Sequence, residues 1–389
     1  MNEALLPVAL QPGDIRHASG IRAGRWVFAT GRSTMPALDD AAPRHGLSRH
    51  KIEAQHVFAN FARVLEAGGT DRKNAVRIDQ YYTGARVVDP YHEVRREFFG
   101  GQIPASTSNL HQKFLLAGQS MEVQLMAAVP AKGFEPVQHR PANLPVHATS
   151  GYSPVLTCGD YVFVAGHLWK GTPIKLEAEF VIEHKLKPAL ASVGNTLAGV
   201  VKAQVYLRDL DDIPAFNEVW AKHFGDAPPA TSIITTSNPG FICEIGRIEI
   251  NTISVRRGGA TKKEVIDAGV PMPYAGQVQA IRAGDLLFLG GLMAVDDRGR
   301  LAAPARTDAE IQTAHMLMQA ERICRKAGTS LANVVRAQQF HTDLAGFDGA
   351  WRAWQKHLPG QHIPFSAIEV PALAVPGAVV MLDLWVHVP

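Results

Sequence analysis

The sequence predicts an α+β protein made of three tandem copies of one β-β-α-β-α-β-β unit, each of about 130 residues. Three landmarks recur in the same order: an apolar run that ends in glycine, a strand-like segment that starts with valine, and a proline-containing loop that ends in a hydroxyl residue. Because a repeated pattern indicates duplicated structural units, the three landmarks predict three domains. Their positions are Gly31, Gly166 and Gly291; Val76, Val201 and Val335; and Ser106, Thr231 and Ser366.

The elements of each copy follow from the spacing of its apolar residues. The runs at 25–31, 160–166 and 285–291 are too short for helices and have no polar face, which is typical of buried strands. In the first copy a later helix begins at Asp89 and Pro90, a capping residue followed by proline at the first helical position. Two helices in each copy are expected to cover one face of a sheet.

Proline-rich and glycine-rich segments separate the copies. The segment 130–145 carries four prolines, and 255–264 combines two glycines with charged residues, which is typical of linkers. We therefore expect domains at 1–136, 137–258 and 259–389. Each sheet face opposite the helices must also be buried, and closed symmetry buries all three at once. The sequence therefore predicts that one chain forms an intramolecular pseudo-trimer. This pseudo-trimer is either a monomer or one half of a dimer of two such rings.

Composition excludes several classes of protein. The 39 basic and 36 acidic residues give a net charge of +3 with no long run of like charges, so neither a nucleic acid nor a membrane is an expected partner. Cys158, Cys243 and Cys324 lie far apart, which favours reduced thiols in the cytoplasm. The N-terminal segment has no signal-peptide pattern. No HExxH or paired CxxC motif occurs, so we expect no metal and no cofactor.

The second copy carries a resemblance to a known family. Its stretches YSPVLTCGDYVFVAG, VKAQVYLRDLDDIPAFNEVWAKHFG, PPAT and GFICEIG resemble the Rid/YjgF family of small enamine and imine deaminases. The resemblance implies a chorismate-mutase-like fold for each copy. Because family members assemble as homotrimers with small-molecule clefts between subunits, it also implies a trimer fused into one chain.

The resemblance also implies a loss at the substrate-binding loop. In the family, an arginine directly after the Pro-Ala of this loop binds the substrate carboxylate, but the three copies have Ser106, Thr231 and Ser366 there. A bidentate arginine contact uses charge-assisted hydrogen bonds of roughly 1.5–3 kcal/mol each, which a hydroxyl cannot replace. We therefore expect a substrate that is neutral or anchored differently.

Other family positions are retained unevenly. The water-activating glutamate, four residues after a glycine, matches Glu122 and Glu244, whereas the third copy has Met381. A carboxylate there is suited to move a proton during attack on a C=N bond. Glu122 and Glu244 are thus the expected catalytic residues, with a structural ion pair as the alternative for each. The expected substrate-binding residues are Gly31, Gly166, Ser106, Thr231, Tyr152, Asn217 and Ser366.

One charged position recurs at the start of a strand in every copy. Arg77, Lys202 and Arg336 each follow the landmark valine. A Ser–Lys catalytic dyad at this position is disfavoured, because two copies have arginine, which does not lose its proton. The sequence favours solvated charges at the ends of strands.

Three functions agree with these observations. The first is a hydrolytic deaminase or related hydrolase that acts on a small imine, enamine or amide-like metabolite at an inter-domain cleft. The second is a pseudo-trimer that binds a small molecule without turnover. The third, an RNA-cleaving role implied by the family's older name, is the weakest, because no basic-aromatic surface is visible.

Overall fold

The computed structural model describes residues 2–10, 15–32, 48–146, 150–237, 240–241, 245–274, 276–302 and 308–389. Within these ranges the chain forms three β-sheets, each with helices packed on one face. The predicted α+β class is confirmed, and the sheets follow one another along the chain as the repeats predict. None of the described helices is long and apolar enough to cross a membrane.

The first sheet has six strands in the order β1-β2-β3-β7-β4-β5. Only β4 and β5 run parallel, because helix α2 crosses over between them. Helix α1 starts at Ser48, whose side chain accepts a hydrogen bond from the Lys51 amide, and ends at Gly68. The elements are β1 (Glu3–Leu10), β2 (Ile15–Ala23), β3 (Trp26–Arg32), α1 (Arg49–Ala67), β4 (Ala75–Tyr82), α2 (Val88–Phe99), β5 (Ala105–Leu110), β6 (Lys113–Phe114) and β7 (Met121–Ala128).

The second sheet also has six strands, in the order β12-β11-β13-β10-β9-β8. Its first helix is interrupted by a π-helical turn at Ile182–Leu186, in which the Lys187 amide bonds to the Ile182 carbonyl. Pro188 has no amide hydrogen for the regular ladder, which favours this local rearrangement. The elements are β8 (Val137–His139), β9 (Val155–Cys158), β10 (Tyr161–Leu168), α3 (Ile174–Val181), α4 (Lys187–Ala191), β11 (Val200–Leu207), α5 (Ile213–Phe224), β12 (Ala230–Thr235) and β13 (Ile248–Val255).

The third sheet has seven strands in the order β14-β15-β16-β19-β17-β18-β6. The edge strand β6 comes from the first third of the chain, and Phe114 pairs there with Ile368. The repeats did not predict this exchange between units. The remaining elements are β14 (Lys263–Ile266), β15 (Ala280–Ala283), β16 (Leu286–Leu289), α6 (Ala309–Lys326), β17 (Val334–His341), α7 (Phe347–His357), β18 (Phe365–Glu369) and β19 (Val380–His387).

The sheet faces opposite the helices pack against one another around a buried group of polar side chains, called here the central cluster. Arg77 on β4 donates to Asp79 and, at 2.7 Å each, to Gln204 and Asn251 of the second sheet. Arg336 on β17 donates to the same Asp79 at 2.9 Å. One carboxylate is therefore shared by guanidinium groups from two sheets.

Lys202 on β11 is the third basic member of the central cluster. Its ammonium donates to Ser232 at 2.9 Å and to the Leu289 carbonyl at 2.7 Å, and it lies 3.1 Å from Asp383. These three contacts use all the donor capacity of an ammonium group, so none remains for catalysis.

The sequence-based prediction of solvated charges at this position is therefore wrong. Arg77, Lys202 and Arg336 are at most 5% exposed. Their strands place these residues on the face that meets the other two sheets, and carboxylates supplied by neighbouring strands compensate the charge. Buried cations of this kind are found only where they are paired.

The cysteines that the structure describes are unpaired. Cys158 and Cys324 are both buried free thiols. Burial raises the pKa of each to about 12, so neither has the character of a reactive thiolate. Cys243 lies outside the described residues.

Candidate functional site

Neighbouring sheets leave clefts where the second helix and parallel strand of one unit face the early strands of the next. The first cleft lies between the first and second sheets and contains a cavity of about 340 Å³. The second cleft lies between the second and third sheets, and the third cleft between the third and first. The polar residues around the first cleft are His92, Arg95, Ser106, Ser108, Ser150, Tyr152, His167, Lys185 and Glu249.

Glu249 is the carboxylate of the first cleft, and sequence reasoning missed it. On β13 it pairs with Tyr206 of β11, just as Glu122 on β7 pairs with Tyr81 of β4. The strand register therefore makes Glu249, and not Glu244, the equivalent of Glu122. The segment after Gly240 is longer in the second unit, so counting four residues from the glycine stops short of the strand. Glu244 itself lies outside the described residues.

The surroundings of Glu249 favour its protonated form. The residue is 4% exposed, and burial raises the pKa of its carboxyl group to about 8, although the backbone amide of Ser108 in the first sheet donates to it. The Oε2 atom has no hydrogen-bond partner among the described residues. A buried carboxyl group with one unsatisfied oxygen beside a cavity is a candidate for proton transfer.

Gly166 makes room for this carboxyl group. A Cβ atom at Gly166 would lie 1.9 Å from Oε1 of Glu249, a distance that no real contact allows. The predicted site residue Gly166 therefore lies in the first cleft, where its lack of a side chain lets Glu249 adopt its position. Ser106 and Tyr152, also predicted from the sequence, line the same cavity.

A guanidinium group does reach the first cleft, but from a different element than the family resemblance implies. Arg95 on α2 donates to Ser106 Oγ at 3.1 Å, to Gln80 Oε1 at 2.6 Å and to the Ser150 carbonyl at 2.6 Å. Its Nε atom has no partner among the described residues. Ser106 stands where the family has its arginine, and it accepts a hydrogen bond from Arg95. The serine was visible in the sequence, whereas Arg95 gave no signal because it is one of two adjacent arginines on a helix.

Two histidines add neutral polar atoms to the cavity. Burial lowers the pKa of His92 to about 2 and that of His167 to about 4, with the nearby cations Arg95 and Lys185 adding to the respective effects. The Nε2 atoms of both rings lack partners among the described residues. With two neutral histidines and a largely protonated Glu249 at neutral pH, Arg95 and Lys185 make the cavity cationic.

Lys185 lies on the π-helical turn between α3 and α4. Single π-helical turns inside helices occur frequently at functional sites, because they change the direction of one side chain. Here Lys185 both borders the cavity and lies 6.0 Å from the centre of the Phe180 ring.

The second cleft holds Thr231 and Asn217, which the sequence analysis grouped with the residues above. They border a separate cavity of about 150 Å³. Gly291 donates its amide to the Thr231 carbonyl at 2.9 Å, and Gln277 donates to the same oxygen at 2.7 Å. The strand register places Met381 at the position of Glu249, opposite Phe340. This cleft therefore lacks the carboxyl group.

The third cleft has a cavity of about 160 Å³ beside α7, and two charged side chains of the protein meet next to β18. Glu122 pairs with Arg32 at 3.1 Å and accepts a hydrogen bond from Gln119 at 2.5 Å. Arg32 also donates to the carbonyl of Phe365 and lies 4.5 Å from the centre of its ring. Of the two readings of Glu122, the geometry favours the structural ion pair. Ser366, which follows Phe365 on β18, is fully buried.

At Gly31 the side-chain position faces helix α1, while the next residue, Arg32, reaches the third cleft. A Cβ atom at Gly31 would be 2.7 Å from Val57 and 3.0 Å from Phe61, both on helix α1. The glycine therefore allows close packing between helix and sheet, which is the role of many strand glycines.

One group of side chains in the described part of the chain has the composition of a metal site. Glu179, Glu183 and His223 place ligand atoms within 4.8 Å of one another on the outer helices. Glu179 is paired with Lys222 at 2.5 Å, and Glu183 with Lys187 at 2.6 Å. Because both carboxylates are neutralised, the group is accounted for as an ion-pair network.

Comparison with known proteins supports the repeat structure. The family model described as endoribonuclease L-PSP matches residues 142–255 and 269–388. A RutC family protein of Pyrococcus abyssi is 37% identical over 95 residues, which cover 22% of this chain and 73% of that protein. The 3-aminoacrylate deaminase RutC of Acinetobacter baylyi is 25% identical over 127 residues, covering 33% and 98% respectively.

A solved structure matches nearly the whole chain. The crystal structure of a chorismatase aligns with a TM-score of 0.54 over 94% of this chain and 99% of that one, at 11% identity. At this identity the likeness concerns the fold alone. It supports a tandem fusion, because the two family matches cover the second and third sheets and the overall alignment also includes the first. The chain therefore belongs to the endoribonuclease L-PSP family, the Rid/YjgF family that its repeats resemble.

Proposed function

We propose that the first cleft is the active site of a hydrolytic deaminase that acts on a small imine or enamine carrying an anionic group. The observation that carries the proposal is that Glu249 and Arg95 border the same cavity of about 340 Å³. Glu249 is a buried carboxyl group, and one of its oxygens has no hydrogen-bond partner among the described residues. A perturbed acid and a charged anchor in one pocket are the usual signs of an active site.

Arg95 and Lys185 select the substrate by charge. Both border the cavity, while the histidines beside them stay neutral. An anionic group entering the pocket gains charge-assisted hydrogen bonds, which are about twice as strong as neutral ones. The anchor of the substrate is therefore an arginine on α2, whereas the family has its arginine at the position of Ser106 on β5. This agrees with the expectation of a differently anchored substrate.

Glu249 moves the protons of the reaction. In its protonated form it donates a proton to the imine nitrogen or to the enamine carbon, and either step gives an iminium ion. Water then attacks the iminium carbon and passes one proton to the Glu249 carboxylate, which leaves a carbinolamine. Glu249 donates this proton to the carbinolamine nitrogen and takes up the hydroxyl proton as the C–N bond breaks, which releases ammonia and leaves a carbonyl product. A carboxyl pKa near 8 suits a group that must act first as an acid and then as a base.

The relatives and the wider fold support this proposal. One relative is named 3-aminoacrylate deaminase, and its substrate combines an enamine with a carboxylate.

We also propose that the units 1–136, 137–258 and 259–389 close into a pseudo-trimer. In support, the central cluster joins side chains of all three sheets, and β6 joins the first unit to the third.

Replacing two equivalent carboxyl groups tests the assignment. Glu249→Gln is expected to lower kcat at least 100-fold on enamine and imine acids generated in the assay, because the side chain no longer transfers a proton. Glu122→Gln is the matched control and should retain activity, since Arg32 already engages that carboxylate. Loss of activity in the control but not in Glu249→Gln would contradict the proposal. Binding without turnover in the unmodified protein would instead favour a non-catalytic binding protein.

A further inference from the structure

The second cleft has a different chemistry from the first. Its cavity of about 150 Å³ is bordered by apolar and neutral polar side chains, with no charged residue among those that the structure describes. Apolar cavities of about this volume hold a single aromatic ring. The residues used in the argument below are Asn217, Trp220, Phe224, Thr231, Tyr274 and Gln277.

The second cleft cannot carry out the acid–base chemistry proposed for the first. Met381 stands in the strand register where the first cleft has Glu249. The residue after the landmark glycine is Leu292, where the second unit has His167. Both replacements are apolar, so the described residues of this cavity provide no counterpart of Glu249 or His167.

Two polar atoms at this cleft have no hydrogen-bond partner among the described residues. The first is the hydroxyl oxygen of Tyr274, and the second is Oε1 of Gln277. The amide of Gln277 is held in a fixed orientation, because its nitrogen donates to the Thr231 carbonyl at 2.7 Å. Burial raises the pKa of Tyr274, so its hydroxyl keeps its proton. Both atoms belong to side chains that border the cavity, one of them a fixed acceptor and the other a hydroxyl donor.

The remaining wall is aromatic. The rings of Trp220 and Phe224 lie 4.1 Å apart, nearly stacked, on the face of α5 that borders the cavity. Such rings favour a flat, apolar ligand. An ionised ligand would have to leave water without a counter-charge here, which strongly disfavours its binding.

From these contacts we propose that the second cleft binds a neutral aromatic carboxamide of one ring and leaves it unchanged. A carboxamide has an N–H group for the acceptor Oε1 of Gln277 and a carbonyl for the hydroxyl of Tyr274. Its ring fills the space beside Trp220. The site is independent of the deaminase assignment, because it lies in another cleft and involves other residues.

Benzamide and benzoate, which have nearly the same shape, test the charge and the hydrogen bonds separately. In calorimetric titrations of the full chain, benzamide should bind at least tenfold more tightly than benzoate and than toluene, which lacks the amide. Equal binding of benzoate would overturn the neutral character of the site. Equal binding of toluene would overturn the role of the polar atoms.

Variants locate the site. Tyr274→Phe is expected to weaken benzamide binding at least fivefold without changing the melting temperature. Trp220→Leu is expected to weaken benzamide binding at least tenfold. Arg95→Lys, in the first cleft, is the control and should leave benzamide binding as it is. If benzamide responds to Arg95→Lys but not to Tyr274→Phe, it binds in the first cleft and the proposal fails. None of these readouts depends on turnover, so they remain decisive if the deaminase assignment is wrong.

Discussion

At one position of the sheet, the neighbouring residue determines what a carboxyl group does. Glu249 and Glu122 occupy the same place in the register of their sheets, and both are almost fully buried. Glu122 is engaged by Arg32, whereas Oε2 of Glu249 has no partner in the described part of the chain. The same residue type therefore gives a structural ion pair in the third cleft and a candidate acid in the first.

The pKa of Glu249 predicts how activity changes with pH. Because the proposed reaction begins with the protonated carboxyl group, kcat is expected to fall as pH rises through about 8, the folded-state pKa of this group. The measurement is a pH–rate profile between pH 6 and pH 10, with substrate concentration kept saturating. A rate that stays constant or rises across this range would mean that Glu249 starts the reaction as a base.

The same pKa has a consequence for stability. Between the unfolded value of 4.5 and about 8, the unfolded chain has lost this proton while the folded chain keeps it. The contribution of Glu249 to the free energy of unfolding therefore falls as pH rises through this window and is constant above it. At alkaline pH, the burial of Glu249 therefore lowers the free energy of unfolding, whereas burial of a neutral side chain at this place would not.

Sequence alone identified part of the first cleft. Ser106 and Gly166 were found as landmarks of the repeated pattern, and Tyr152 was found through the family resemblance. Glu249 was missed because a longer hairpin changes the spacing that the pattern relies on. Arg95 was missed for another reason: it replaces a family residue from a different element, and closeness in space leaves no trace in a single sequence.

At the scale of elements, each unit brings the same two parts to its clefts. The crossover helix and parallel strand of one unit face the early strands of the next, as α2 and β5 face β10. That clefts lie between units followed from the family resemblance. The exchange of β6 into the third sheet did not, because a strand of two residues has too little pattern to be recognised.

Two equivalent glycines are expected to respond differently to the same substitution. Gly166→Ala places a methyl group where Oε1 of Glu249 lies, so it should reduce activity at least tenfold by displacing the carboxyl group. Gly31→Ala places the methyl group against Val57 and Phe61, so it should lower the melting temperature through overpacking that costs about 1–3 kcal/mol. Parallel assays of activity and thermal unfolding check both. Equal effects of the two variants on activity would contradict the assignment of Gly166 to the site.

At the scale of the whole molecule, the sheets are joined through charge as well as apolar contact. Asp79 accepts hydrogen bonds from Arg77 of its own sheet and Arg336 of the third sheet. The amino-acid pattern predicted that these sheet faces are buried, because three sheets with helices on one side need partners on the other. It did not predict buried cations, since Lys202 and Arg336 find their carboxylate partners in distant parts of the chain.

Removing the shared carboxylate should therefore destabilise the whole molecule. Asp79→Asn leaves two buried guanidinium groups without their counter-charge, and we expect a loss of about 3–5 kcal/mol in the free energy of unfolding. Glu218→Gln removes a carboxylate from an exposed pair with Lys175 and should cost less than about 1 kcal/mol. Urea unfolding followed by fluorescence measures both. Similar losses in the two variants would show that the central cluster contributes no more than a surface pair.

The pairing of β6 with β18 has a consequence for how the protein is made. Phe114 meets Ile368, and Asp79 meets Arg336, across more than 250 residues of chain. Neither contact can form until the strands of the third sheet have left the ribosome, and contacts between such distant residues form slowly. The first sheet is synthesised before the third but completes its contacts only with it, and until then its unpaired edge and its buried charges are open to solvent.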